Sequence, residues 1–215
     1  MAYFVGACFI AAALSLVAGV QARLSASLLA FTFFLFVVLM DAPGWARNPR
    51  NRIALALTLR ELSFSGGALA LAASLSGWSE RGAHMLATVA RYFIAIAVLF
   101  YSFEQFKHGD HVPGIPLEMV TPHWLFGHGV WTYLTAAVYA VGGPLLLVGK
   151  KTRAVATWLG LTVLFVVLVV YVPIAVVERA NLEGLNYMAD TLMYCGALLL
   201  LAGAMPREGG GGIID

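Results

Sequence analysis

The sequence predicts an all-α integral membrane protein with about seven transmembrane helices, and three observations support this prediction. Hydrophobic residues make up 61% of the 215-residue chain and charged residues only 11%, whereas soluble domains contain about 45–50% apolar and about 25% charged residues. The mean hydropathy is +0.86. Apolar runs of roughly 20 residues, the length that crosses a bilayer, recur along the chain between short polar breaks.

The composition also excludes several classes of protein. So apolar a chain is neither a soluble enzyme nor a disordered regulator. The 13 basic and 11 acidic residues give a net charge of only +2, so we expect no nucleic-acid partner. Two cysteines, Cys8 and Cys195, are too few for a disulfide framework. Membrane lipid is therefore the first expected partner of the chain.

Each of the seven predicted spans is an apolar run with a physical reason for its end. The first is predicted to be a retained helix, because residues 1–4 lack the Lys or Arg of a cleaved signal peptide. The second should end at residues 41–44, where an acid precedes Pro43 and Gly44. Four consecutive glycines predict a flexible tail over residues 206–215. The predicted spans are residues 2–20, 24–41, 54–76, 87–106, 127–148, 154–177 and 185–204.

An odd number of spans places the two termini on opposite sides of the membrane. We call the side of the N-terminus side A and the side of the C-terminus side B. Near the predicted helix ends, side B carries seven Lys and Arg residues and side A five. The positive-inside rule therefore favours a bacterial cytoplasmic membrane protein with its N-terminus outside and its C-terminus inside.

The chain resembles itself at an offset of about 129 residues. Residues 35–39 resemble residues 164–168, and Pro43 matches Pro173 with one residue of slip. Residues 61–69 resemble residues 190–198, because each segment has an acid, five further residues and then Gly-Ala-Leu. This pattern predicts that spans one to three and five to seven are parallel repeats, with span four between them.

Ionisable residues inside spans are costly, so each one is a candidate functional residue. In span four, Tyr101, Glu104 and His108 are spaced three and four apart and share one helix face. In span seven, Tyr187 and Asp190 also share a face. We expect the two acids at similar depth near side A, with Glu104, His108 and Asp190 moving protons and the two tyrosines positioning a ligand.

Polar loops should cover this end of the bundle. The loop of residues 109–124 contains three prolines, which predict an ordered lid rather than a floppy linker. It contributes His111 and Glu118 as candidate binding residues, and Asn186 at the start of span seven is a third. Histidine suits proton exchange because its pKa lies near neutral. The alternative is that the acids simply pair with nearby basic residues and fix helix packing.

A metal site is the sharper alternative at this end. His108 and His111 are spaced three apart, with Asp110 and His123 nearby, and such ligands suit zinc, iron or copper. Breaks in the helix around Gly109 weaken this prediction, so no metal is expected. No span has a central histidine for haem, and no flavin or nucleotide motif is present.

Residues 91–204 resemble the DoxX family of small bacterial membrane proteins. The resemblance is carried by residues 101–108, 113–118, 133–135, 150–153 and 186–200. It implies a four-helix bundle over residues 87–205, preceded here by a three-helix unit over residues 1–80. The family is named for a small subunit of a quinone-linked oxidoreductase, so the resemblance implies a quinone as ligand more weakly than it implies the fold.

Three functions compete at this point. The first is a redox-linked membrane subunit that binds quinone near side A and takes electrons through a membrane or peripheral partner subunit, since the chain shows no cofactor motif of its own. The second is a non-catalytic assembly or scaffold protein of a larger membrane complex. The third is a small transporter built on the repeat.

Overall fold

The computed structural model, which describes residues 2–177 and 182–206, confirms an all-α membrane architecture with seven helices in the described part of the chain. Helices α2 to α7 are long and apolar enough to cross a membrane, and α1 is a shorter apolar helix. The predicted flexible tail, from residue 207 onward, lies outside the described residues. The helices are α1 (Ala2–Ala18), α2 (Ala22–Arg47), α3 (Arg52–Ser74), α4 (Glu80–Lys107), α5 (Val130–Val148), α6 (Thr152–Val177) and α7 (Leu182–Ala204).

Helix α2 does not end at residues 41–44, so this predicted boundary was wrong. A π-helical turn occupies Val37–Asp41, and an α-helical turn follows from Ala42 to Arg47. The Ala42 N–H donates to the Val37 carbonyl, five residues back. Pro43 therefore lies just after a local change of hydrogen-bond register, where its missing N–H interrupts the helix least.

The internal repeat is present in the fold, and its offset is one residue longer than the sequence comparison indicated. Helices α2 and α6 both contain 26 residues, and α3 and α7 both contain 23. Aligning the first residue of α2 with that of α6 also aligns the starts of α3 and α7. A second π-helical turn, Val167–Tyr171, lies in α6 at the place that corresponds to the first one in α2, and it is also followed by a proline.

Side-chain hydrogen bonds repeat at the same offset. Ser65 Oγ donates to the Ala30 carbonyl at 2.9 Å. Its counterpart, Cys195 Sγ, donates to the Gly160 carbonyl at 3.3 Å. Each bond joins the third helix of a repeat to the second helix of the same repeat. The two halves are therefore built alike in detail. They run in the same direction because each helix is followed by its counterpart four helices later, and an even shift preserves the direction.

The two repeats meet along α3 and α7 at the centre of the bundle. A Cβ atom added to Gly67 would lie 2.5 Å from the Ala197 Cβ, and these residues are counterparts. The pseudo-two-fold axis of the repeat therefore passes between these helices. One hydrophobic core includes residues of both halves, such as Leu59 and Leu198, together with Ile94 of α4. Helix α1 lies at the edge and packs on α2.

Candidate polar site on side A

An ion-paired cluster joins the two repeats. Arg60 of α3 donates from Nη1 to Asp190 Oδ2 of α7 at 2.7 Å and from Nη2 to Glu61 Oε1 at 2.9 Å. The side chains of Arg60 and Asp190 are only 19% and 17% exposed. We name Arg60, Glu61 and Asp190 the inner cluster. It brings ionisable groups of α3 and α7 together, and at the offset of the helices Arg60, not Glu61, is the counterpart of Asp190.

The inner cluster lies well inside the bundle. Arg60 and Asp190 each follow the first residue of their helix by eight positions, which is about 12 Å along the axis at 1.5 Å per residue. A bilayer core is about 30 Å thick, so these charges lie below the head-group region. At that depth, a charge is tolerated when it faces the protein interior and has a partner.

A second group of charges, the outer cluster, lies at the side A end of α4. Glu104 Oε2 is 3.7 Å from Arg52 Nη1 and 3.6 Å from His108 Nε2. Arg52 Nη1 also donates to the Leu117 carbonyl at 2.7 Å, and Arg52 Nη2 is 3.4 Å from His111 Nε2. Arg52 is therefore the hub of the outer cluster. It is the first residue of α3, and its hydrogen bond to Leu117 ties that helix to the loop after α4.

The loop between α4 and α5 is an ordered lid, as its prolines predicted. Residues 112–117 are all buried, and the Val112 N–H donates to the Met119 carbonyl at 2.8 Å. Ile115 is only 1% exposed and belongs to the main core. Gly114 is required because a Cβ atom there would collide with the Tyr171 hydroxyl. The lid therefore plugs the side A end of the bundle.

The structure separates the two acids that the sequence expected in one place. Glu104 belongs to the outer cluster and Asp190 to the inner one. Glu104 is three residues from the end of α4, about 5 Å along the axis, against about 12 Å for Asp190. The expectation of similar depth was wrong, because the described part of α7 begins at Leu182, earlier than the predicted start.

The predicted binding residues fall in different places. Tyr101 is fully buried and donates to the Ala56 carbonyl at 2.7 Å. Tyr187 Oη donates to Glu118 Oε2 at 3.1 Å, which ties the lid to α7. His111 joins the outer cluster. Asn186 is exposed and its side chain hydrogen-bonds with none of the described side chains, so it lies apart from both clusters.

Two buried groups outside the predicted site residues carry the strongest chemical signal. Gln105 is 0% exposed, and neither its Nε2 nor its Oε1 has a partner among the described residues. The Tyr194 hydroxyl, on α7, is likewise buried without a partner. Buried polar groups are almost always hydrogen-bonded, so these two call for a ligand or water. The signal for Gln105 was its spacing of four from Tyr101 on one helix face.

Three buried tyrosine rings lie together, and one of them, Tyr101, is one turn before Gln105 on α4. The Tyr194 ring lies 6.1 Å from the Tyr101 ring and 6.3 Å from the Tyr139 ring, in edge-on arrangements. All three tyrosines are buried. Such a setting combines flat apolar surfaces with hydroxyl donors, which suits a planar aromatic ligand that carries polar oxygens.

The outer cluster includes a possible metal-binding group. Ligand atoms of His108, Asp110 and His111 lie within 4.8 Å of one another. However, His111 Nδ1 is 2.9 Å from Asp110 Oδ1, and the Arg52 guanidinium lies beside its other nitrogen. A dication would face that positive charge, so the donor set does not favour a metal. His123, the fourth predicted ligand, instead stacks on His128 at 5.7 Å.

The electrostatics of the outer cluster shift two pKa values. Burial, together with the Arg52 guanidinium, lowers the pKa of His108 below 6.5. A hydrogen bond from His111 lowers the pKa of Asp110 below 3.8. At neutral pH the cluster therefore contains a neutral His108 that can accept a proton, beside the carboxyl group of Glu104.

Comparison with known proteins adds no family assignment. No protein-family model, curated protein or solved structure matches this chain. The resemblance to the DoxX family stays a prediction, as does the division into units of residues 1–80 and 87–205. The architecture assigned above supports one plain conclusion: the chain is an all-α membrane protein, and its described part contains six helices long and apolar enough to cross a bilayer.

Proposed function

We propose that the protein binds a quinone at the polar site on side A, as the quinone-handling membrane subunit of a redox complex. The observation that carries the proposal is the buried amide of Gln105, whose donor and acceptor both lack a partner among the described residues. The two oxygens of a quinone accept hydrogen bonds, and those of a quinol also donate them. An amide can serve both forms, because it both donates and accepts.

Aromatic residues deeper in the bundle support the same class of ligand. Tyr101 lies one turn before Gln105 on α4, and its ring packs on that of Tyr194, so the two rings offer apolar faces for a planar ring. The lid, whose Ile115 shares a core with both tyrosines, would exclude water from the bound head group. Access from the membrane then requires the lid or a neighbouring helix to move.

The outer cluster supplies the route for protons. Reduction of a quinone to a quinol takes up two electrons and two protons, and oxidation releases them. His108 is partly exposed, and its Nε2 lies 3.6 Å from Glu104 Oε2. These two residues can carry protons between the buried site and the aqueous face. Electrons must come from a partner protein that carries a redox cofactor, because this chain has no motif for one.

Quinone content measures this function directly. The protein is purified in mild detergent, and extracted quinone per chain is quantified by mass spectrometry. We expect near-stoichiometric quinone in the wild type and a loss of about tenfold or more in Gln105→Leu, since removing a buried hydrogen bond costs about 1–3 kcal/mol. Glu104→Gln should retain less quinone than the wild type. It should still bind some, because the new amide can donate and accept hydrogen bonds.

Ser102→Ala is the matched control. Ser102 is buried on the same helix, but its hydroxyl is already satisfied by the Ala136 carbonyl at 2.9 Å. We expect this variant to retain quinone at the wild-type level. Absence of quinone from the wild type, together with a defined partner protein in the same preparation, would contradict the proposal and favour an assembly role.

A small transporter is a second candidate, and the parallel repeat favours it. The ion pair between Arg60 and Asp190 crosses the boundary between two alike halves, which is where transporters built on repeats place their sites. Such a protein exposes one residue to both faces in turn. In a background without native cysteines, Glu61→Cys should then react with a membrane-impermeant thiol reagent from either side, whereas a quinone-binding subunit should not react from side B.

A further inference from the structure

A cavity opens at the side B end of the bundle, opposite the lid. Its volume is about 650 Å³, within the range of ligand pockets, which run from about 300 to about 1,000 Å³. It lies where α3, α5 and α7 end and where α4 and α6 begin. Its walls alternate small apolar side chains such as Ala87 with polar ones such as Thr88 and Thr152.

The charged side chains among the described lining residues of this cavity are all basic. Arg91 of α4 and Arg153 of α6 line it together with His84, and none of its described lining residues carries a carboxylate. Lys150 and Lys151, both exposed, lie in the turn that adjoins it. A concave site with uncompensated arginines attracts anions.

Both arginines are held in place and still have donors to spare. Arg91 Nη1 donates to the Leu146 carbonyl at 3.0 Å, and Arg153 Nη1 donates to the Met205 carbonyl at 3.3 Å. Neither Nη2 atom donates to another described residue. A guanidinium carries five N–H donors in a rigid fork, so each arginine can donate to a ligand without losing its present partner.

The backbone adds further donors at the start of α6. The residue before the helix, Lys151, has φ 49 and gives no side-chain hydrogen bond to the first turn. Thr152 and Arg153, the first residues of the helix, both line the cavity. Free N–H groups at a helix N-terminus favour a phosphate or another anion.

The counterpart arginine in the first repeat has different surroundings. Arg23 is the counterpart of Arg153, because each is the second residue of its helix, α2 (Ala22–Arg47) or α6 (Thr152–Val177). The Arg23 guanidinium lies 5.5 Å from the centre of the Trp78 ring, and it leaves no room for a Cβ atom on Gly77. Arg23 therefore packs on the loop after α3 and is exposed, whereas Arg153 is half-buried. The side chains that line the cavity include Arg153 but not Arg23.

We propose that this cavity binds the phosphate head group of an anionic phospholipid from the side B leaflet. The arginines and the start of α6 hold the phosphate, and the small apolar walls receive the glycerol end of the acyl chains. Basic pockets between transmembrane helices bind such head groups. This site is independent of the polar site on side A and of the function proposed for it.

Lipid binding at this cavity is measured by native mass spectrometry of the purified full chain. Phosphatidylglycerol or phosphatidylcholine is titrated into the detergent, and bound lipid is counted. We expect a preference for phosphatidylglycerol and a loss of its affinity by about tenfold or more in Arg153→Ala, because this change removes a hydrogen bond to a charged group. Arg153→Lys should fall between, because it keeps the charge but not the fork.

Arg23→Ala is the matched control, since it removes the same charge from the counterpart position. It should leave phosphatidylglycerol affinity unchanged. Equal affinity for the two lipids, or an equal loss in both alanine variants, would overturn the proposal. Millimolar inorganic phosphate should displace the lipid poorly. If it displaced the lipid as effectively as soluble phosphatidylglycerol, the ligand of the cavity would be free phosphate rather than a lipid. Unchanged thermal unfolding confirms that each variant is folded.

Discussion

His108 occupies a position where protonation is disfavoured. Burial and the Arg52 guanidinium lower its pKa below 6.5, and its Nε2 faces Glu104 Oε2 at 3.6 Å. The charge on Glu104 works in the opposite direction, but the first two effects prevail. The folded protein therefore prefers neutral His108, and this preference can be observed as a dependence of stability on pH.

We predict that folding stability falls as the pH drops below 6.5. A histidine whose pKa is lower in the folded state contributes its full stability above its unfolded pKa and loses it as the pH falls from that value through the lower folded pKa. The thermal unfolding temperature in detergent, measured from pH 7.5 to pH 5, should therefore fall. The unfolding temperature of His108→Gln should fall less over the same range. An identical dependence on pH in both proteins would show that His108 is not responsible.

Individual residues at the site were only partly predictable from the sequence. Charged residues in apolar runs stand out, so Glu104, His108 and Asp190 could be found. Gln105 could not be singled out in the same way, because an amide is less conspicuous than a charge and its lack of a partner is visible only in three dimensions. Arg52 was missed because a run of arginines and asparagines is typical of a solvated loop.

In two helices, a π-helical turn allows the helix to continue through a proline. In α2 and α6, the turns at Val37–Asp41 and Val167–Tyr171 precede Pro43 and Pro173. The sequence predicted a helix end at the first proline, because proline lacks the N–H that continues the ladder. A change of register just before the proline removes that conflict. Helix ends are therefore poorly predicted where such turns occur.

The contact of α3 with α7 depends on a small residue, which gives an element-scale prediction. A Cβ atom on Gly67 would lie 2.5 Å from the Ala197 Cβ, whereas one on Gly196 would meet nothing within 4 Å. We expect Gly67→Val to lower the free energy of unfolding by about 1–3 kcal/mol through overpacking. Denaturation in mixed detergent micelles measures this change in the free energy of unfolding.

Gly196→Val is the control for this prediction. It makes the same change in an equivalent kind of helix, where the added side chain has room. We expect it to change the free energy of unfolding by less than half as much. Equal losses in the two variants would mean that the contact between the repeats does not account for the effect, because valine has a higher helix propensity than glycine at both positions.

At the scale of the whole molecule, one ion pair joins the two halves. Arg60 and Asp190 are counterparts in the repeat and meet at 2.7 Å. We predict that Arg60→Met lowers the free energy of unfolding by about 3–5 kcal/mol, because it leaves buried carboxylates without a partner. Equilibrium unfolding in detergent measures the loss.

An exchange of the two charges tests whether the pair itself is responsible. The double variant Arg60→Asp/Asp190→Arg restores opposite charges at the same two places. We expect it to recover part of the stability lost in Arg60→Asp alone. A double variant that is no more stable than the single one would show that the geometry of Arg60, including its bond to Glu61, cannot be mirrored.

The overall architecture was more predictable than the site because it depends on composition. A bilayer requires long apolar runs, so seven helices could be counted from the sequence, and the structure has seven in the described residues. The repeat was visible as matching prolines and small residues, but its offset was wrong by one. With this one-residue error, Glu61 instead of Arg60 aligns with Asp190. The sequence comparison therefore pairs two acids and does not indicate the ion pair.

Helix α4 has a consequence for how such a chain can be assembled during synthesis. A unit of three helices ends on the opposite side of the membrane from where it starts, so two units joined directly would insert upside down relative to each other. One extra crossing brings the second unit back to the same starting side. Arg23 and Arg153 then place a positive charge at the same end of each repeat, so both halves of the chain have the same signal for their orientation in the membrane.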